Sequence, residues 1–241
     1  MISKIEENKI RDYLLDKKLP IDILLEVNDH FIIQIKTLEF EKDLSFDDAF
    51  KNVKENWRKD LTLSWAGGMD INDSNLLMRR ISKNIVKDNI YFALKVTLFG
   101  MLFTILMSKF LPQNLFQYLI CILVSAIFIY PLIIFIINFK KFNLTRKYDN
   151  YTLSLHQHNT ALVLSLAVLP VNLIQQVLNH PENFNSFGNF KGFNLDFWNH
   201  AFPYLLLIVI FSLASLTIIS QIKFLKQLEI VKPFLKYLKP S

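Results

Sequence analysis

Residues 115–139 read LFQYLICILVSAIFIYPLIIFIINF, without a single charged side chain. A helix that crosses a ~30 Å hydrocarbon core needs about 20 predominantly apolar residues. This stretch is long enough. Three more flank it, at 90–111, 160–178 and 201–222, and none carries a charge near its middle. Together they predict a bundle of four transmembrane helices over 90–222. Residues 1–65 are by contrast polar, charged and periodic, 66–89 form a linker with a basic helical pattern, and 223–241 form a basic tail. The fold class expected is all-α: a cytoplasmic three-helix N-terminal domain plus a four-helix transmembrane bundle.

The basic residues set the expected orientation, because loops on the cytoplasmic side carry an excess of Lys and Arg. Arg79, Arg80, Lys83 and Lys87 precede the first span, and Lys95 lies just inside it. Lys140, Lys141, Arg146 and Lys147 follow the second, and Lys223, Lys226, Lys232, Lys236 and Lys239 follow the fourth. The other two connections hold only Lys109 and Lys191. This alternation matches four crossings with both termini cytoplasmic, in a multi-pass protein of the cell membrane. The N-terminal segment lacks an apolar core and a cleavage site, so the first span is expected to direct insertion.

The net charge of +6 has the same explanation. A basic soluble chain would raise nucleic-acid binding, but no reader motif is present, and no direct nucleic-acid partner is expected. The one cysteine, Cys121, sits inside the second span and cannot form an intramolecular disulfide. Phe197, Trp198, Phe202 and Tyr204 cluster at the start of the fourth span, where an interfacial aromatic belt is expected. The preceding connection, 179–199, reads as an outer loop, either functional or passive.

Three amphipathic helices are expected in residues 1–65. The first covers about 3–17. The second begins near Pro20, a residue tolerated in a first helical turn, and carries Ile21, Leu24, Leu25, Phe31, Ile32, Ile35 and Leu38 at helical spacing. The third opens at Ser45, with an acid three residues on as in a capping box, and Phe46, Ala49, Phe50, Val53 and Trp57 follow on one face. So short a unit has a marginal core, and pairing with itself, with a partner or with the membrane surface would support it. Gly67-Gly68 and Asn72-Asp73 break the pattern. A basic amphipathic helix over about 75–87 then places Arg79, Lys83 and Lys87 on one face, as expected for contact with anionic headgroups. A plain extension of the first span is the alternative.

Tyr13-Leu14-Leu15, Leu19-Pro20, Glu26-Val27-Asn28-Asp29-His30 and Leu44-Ser45-Phe46-Asp47-Asp48-Ala49-Phe50 resemble the HAAS signalling domain over residues 8–57. That family has a Leu-Pro step, a helix with a Glu-x-x-Asp-His core, and a Ser-x-acid-acid-Ala helix start. Members often continue into membrane helices, and many are associated with PadR-type regulators. The chain departs from the family at Val53-Lys54-Glu55-Asn56-Trp57, where a Leu-Gly end is usual. The resemblance implies a regulatory cytoplasmic domain and does not point to an activity.

Glu26, Asp29 and His30 stand at i, i+3 and i+4 and share one helix face. Structural pairing against the third helix, a partner-contacting patch and a metal site are the readings, and one helix alone gives an incomplete metal shell. His156 and His158 diverge at a helix start, so no metal is expected there either. The third span is the most polar, with Ser165, Pro170, Asn172, Gln175 and Gln176. Asn172 and Gln175 could line a small polar cavity or bond between helices. Thr97, Gly100 and Thr104 make a small-residue stripe suited to close helix packing.

Chemistry-bearing motifs are absent from the sequence. No ionisable residue sits mid-span, where ion pathways usually display one. No phosphate-binding loop, zinc motif or nucleophile elbow is present. The reading is a non-enzymatic regulatory or signalling membrane protein without cofactor, whose helical domain binds a protein partner through Glu26, Asp29 and His30. An accessory subunit of a transport assembly, or a small-molecule or lipid carrier using the polar third span, are the alternatives.

Overall fold

The computed structural model describes residues 2–64, 74–180 and 195–240. The Gly67-Gly68 break, the Phe197-Trp198 side chains and most of the 179–199 connection lie outside the described residues. The described residues are overwhelmingly helical and include four helical stretches long and apolar enough to cross a membrane: Leu76–Phe110, Gln113–Ile137, Gln157–Asn179 and Ala201–Tyr237. It divides into two compact units.

The first unit gathers three separate stretches, Met1–Val86, Asn143–Gln157 and Phe224–Ser241. Its helices are α1 (Lys4–Leu15), α2 (Ile21–Lys42) and α3 (Phe46–Leu61). Ser3 caps α1 in a reciprocal box: its hydroxyl accepts from the Glu6 N–H, and its own N–H donates to the Glu6 carboxylate at 2.6 Å. Those bonds hold the Glu6 carboxyl below its ordinary range. Helix α2 starts behind Pro20 and ends at Asp43, whose left-handed φ of 53° stops it. The Ser45 hydroxyl accepts the Asp48 N–H at the start of α3. Capping of this kind satisfies donors that a helix start leaves without partners. Ile10, Leu14, Leu24, Phe31, Ile35 and Val53 are completely buried, each worth about 1.5–3 kcal/mol. Tyr13, Phe31, Phe50 and Trp57 pack as an aromatic cluster, with centroids 5.6–6.5 Å apart.

The first unit is larger than the 1–65 domain that periodicity suggests. The Ile21 and Asp22 N–H groups at the start of α2 donate to the carbonyls of Thr152 and Leu153, at 2.9 and 3.3 Å. The Arg11 guanidinium lies 4.2 Å over the Tyr237 ring. Phe224, Leu228 and Val231 are fully buried. So the connection after the second span and the C-terminal tail both belong to this unit. A two-residue antiparallel pair, β1 (Leu63–Ser64) and β2 (Ser74–Asn75), is too short to leave a periodicity and was not expected.

The basic segment 76–87 is not a separate helix. It is the start of α4 (Leu76–Phe110), which runs unbroken into the first span. Next come α5 (Gln113–Ile137) and α6 (Phe139–Lys147). The third span differs from the single helix expected over 160–178. It comprises a 3-10 turn (Gln157–Asn159), α7 (Leu162–Ser165) and α8 (Val168–Asn179). Pro170 explains the break, because it lacks the N–H that would reach the Leu166 carbonyl and its ring crowds that group. Helix α9 (Leu195–Val231) is the fourth span, longer than the expected 201–222.

The second unit covers Lys87–Phe142 and His158–Lys223, and α9 is its centre. Its apolar window is 44% buried, against 17–22% for the others. Contacts with α4 run from Asn89–Lys223 (2.8 Å) to Thr97–Ser212 (3.0 Å) and then Gly100–Phe211. Residue numbers rise on one helix as they fall on the other, so the pair is antiparallel. The Gln221 amide donates to the Pro131 and Thr160 carbonyls at 3.1 and 2.8 Å. Thr217 accepts the Val163 N–H at 3.0 Å, compensating part of the unwound third span. Phe116, Ile120, Val124, Leu173, Val177 and Leu207 form the apolar core with Phe211.

Candidate functional site

Glu26, Asp29 and His30 are all exposed on α2. None of the three makes a hydrogen bond or ion pair among the described residues. His30 does face Trp57 of α3, ring centroids 6.3 Å apart. Trp57 in turn donates its indole N–H to the Gln34 side-chain oxygen at 3.1 Å. Beyond it lies a groove of about 450 Å³ lined by Gln34, Thr37, Leu38, Asn56, Trp57 and Asp60. The polar face therefore continues past the expected triad, along α2 and onto α3. The sequence did carry that signal: continuing the four-residue step from Glu26 to His30 arrives at Gln34. Asp60 pairs with Arg80 at 3.5 Å.

Asp22, which sequence reading passed over, is a buried carboxylate of the first unit, only 6% exposed. Its carboxylate accepts the Ile23 N–H at 3.0 Å and bonds Ser154 and the Leu155 N–H. Burial outweighs these bonds and pushes the carboxyl above its ordinary value, with Glu26 adding a smaller push. Asp22 thus joins the inter-span connection to the start of α2.

The basic residues proposed from sequence for headgroup contact are placed differently from one another. Arg79 is engaged with the Ser64 and Ser74 hydroxyls and carbonyls that bracket the β pair. Lys83 and Lys87 are exposed, and Lys87 borders a groove of about 560 Å³ with Asp88, Ile90, Tyr91 and Leu94.

In the second unit, Asn172 and Gln175 lie on the rim of one cavity of about 360 Å³, with Leu169, Gln176, Asn179, His180, Phe202 and Leu206. The structure brings both predicted residues together and adds Gln176 and Asn179. The small-residue stripe has a packing role: Gly100 abuts the Phe211 ring, and Thr97 bonds Ser212. His156 is buried in the first unit and His158 is exposed. Among the described residues no group of His, Cys, Asp and Glu is arranged to hold a metal ion.

No family model, curated protein or solved structure matches the chain.

Proposed function

We propose that this is a regulatory membrane protein whose first unit faces the cytoplasm and captures a protein partner on the α2–α3 face. The observation that carries this reading is an exposed polar strip, Glu26, Asp29 and His30, whose side chains make no hydrogen bond or ion pair among the described residues and which is continuous, through the His30–Trp57 ring contact, with the Trp57 groove. Charged groups without a counter-charge among the described residues cost little in water and are available to a partner of complementary charge. The resemblance to the HAAS domain over residues 8–57 supports the same reading, as does the charge alternation that places both termini inside. The connection 143–157 and the tail pack into the unit that carries this face. The four spans anchor the protein and supply a sensing element.

The test is co-purification from mild detergent using the full chain. Removing residues 1–66 would strip apolar cover from 143–157 and 224–240, so a point change is the cleaner probe. Asp29→Lys, on an exposed position, should abolish capture of the co-purifying protein while membrane insertion is unchanged. Capture that persists with Asp29→Lys and with His30→Glu would remove this face from the mechanism.

A further inference from the structure

We propose that the cavity along the Asn172–Asn179 face of α8 binds a neutral, hydroxyl-rich headgroup, the chemistry of a sugar or polyol. This inference stands independently of the partner-binding reading. Asn172, Gln175, Gln176 and Asn179 are spaced i, i+3, i+4 and i+7, so all four amides fall on one face of α8. All four line the same space. None hydrogen-bonds to another group among the described residues, so each retains an acceptor and two donors to offer.

The lining decides the ligand class. No Lys, Arg, Asp or Glu is among the described lining residues, where His180 is the one ionisable side chain, and a charged ligand would lose its hydration there without gaining a fixed counter-charge. A wholly apolar ligand would desolvate four amides for no return. A neutral ligand with hydroxyls around its rim fits, because each amide can give and take a hydrogen bond. The seven-residue span of the amides covers about 10 Å along the helix, so polar contact is spread along the ligand and not concentrated at one end. Leu169, Leu206 and the Phe202 ring add an apolar surface for carbon faces of a ring, and the His180 imidazole also lines the space. A volume of 360 Å³ is at the small end of ligand pockets and suits one or two rings.

The experiment uses the full chain in phospholipid nanodiscs, prepared without sugar-based detergent. The probes are radiolabelled octyl glucoside below its micellar concentration and methyl glucoside as competitor. Saturable binding of octyl glucoside is expected. Asn172→Leu/Gln176→Leu should weaken it about tenfold or more, as expected for loss of two hydrogen bonds. Gln175→Met, which keeps length and shape, should weaken it less and guards against misfolding of the double variant. Competition by methyl glucoside assigns the site to a soluble polyol; binding without competition assigns it to a lipid headgroup. Absence of saturable binding, or equal binding by the native chain and by both variants, overturns the proposal.

Discussion

Substitution of Gly100 tests the packing of the spans directly. A Cβ at this position would stand 3.2–3.3 Å from three atoms of the Phe211 ring, against an ordinary carbon–carbon contact of about 3.5–4.0 Å. Phe211 is 5% exposed and held in the core of the bundle, so its ring has little room to retreat. In water, Gly→Ala inside a helix would gain about 1 kcal/mol of propensity. In a membrane that gain is largely absent, because the separated span must remain helical to satisfy its backbone. Packing alone then sets the sign. Gly100→Ala should destabilise the bundle by about 1 kcal/mol and Gly100→Leu by about 3 kcal/mol, the range seen for overpacked cores. The assay is denaturation in mixed micelles, followed by circular dichroism and by thiol labelling. Cys121 is the only cysteine and packs against the same core, so its labelling should accelerate as the bundle opens. Combining Gly100→Ala with Phe211→Leu should cost less than the sum of the two single changes, as expected for residues in contact. An unchanged midpoint and labelling rate for Gly100→Leu would refute the α4–α9 pairing.

Other outcomes follow from single contacts. Thr217→Val removes the acceptor of the Val163 N–H and should cost about 1–3 kcal/mol, the usual penalty for a buried donor left unmade; the same micelle denaturation reads it. Asp22 has its carboxyl raised above the ordinary 3.8 by burial, so the folded chain keeps that proton to a higher pH than the unfolded chain. Its contribution is fullest below the unfolded value and declines as pH rises through the folded one. Asp22→Asn should flatten this part of the stability profile of the first unit, and an unchanged slope between acid and neutral pH would refute it. Ser45→Ala should lower the stability of the first unit by about 1 kcal/mol through loss of the α3 cap, read as a lower melting temperature.

The spans were legible because an apolar run of this length without a charge near its middle has few other uses. The starts of α2 and α3 were legible because Pro20 and Ser45 are local signals that need no tertiary context. The break in the third span was half visible: Pro170 was in view, but its effect depends on whether Thr217 can satisfy the loosened backbone, and that is a contact with residue 163 from far along the chain. The recruitment of 143–157 and 224–240 into the first unit was hidden for a similar reason. Basic residues among apolar ones suit an inner-leaflet tail as well as a packed helix, and no periodicity reports that Ile21 and Asp22 will bond to Thr152 and Leu153. Asn172 and Gln175 could be paired from their spacing. Asn179 was assigned to the following loop, which concealed the fourth amide of the same face. Arg79 shared a stripe with Lys83 and Lys87, yet it turns to the β pair, which two-residue strands could not announce.

The central claim is that residues from the N-terminal helices, the connection after the second span and the tail share one compartment, the cytoplasm. Single-cysteine labelling in intact cells tests it most directly. In a Cys121→Ser background, Asp29→Cys, Asn150→Cys and Lys239→Cys should be shielded from a membrane-impermeant maleimide until the inner face is exposed, whereas Asn114→Cys should label from outside. Labelling of any of the first three in intact cells, or protection of Asn114→Cys there, would contradict the account.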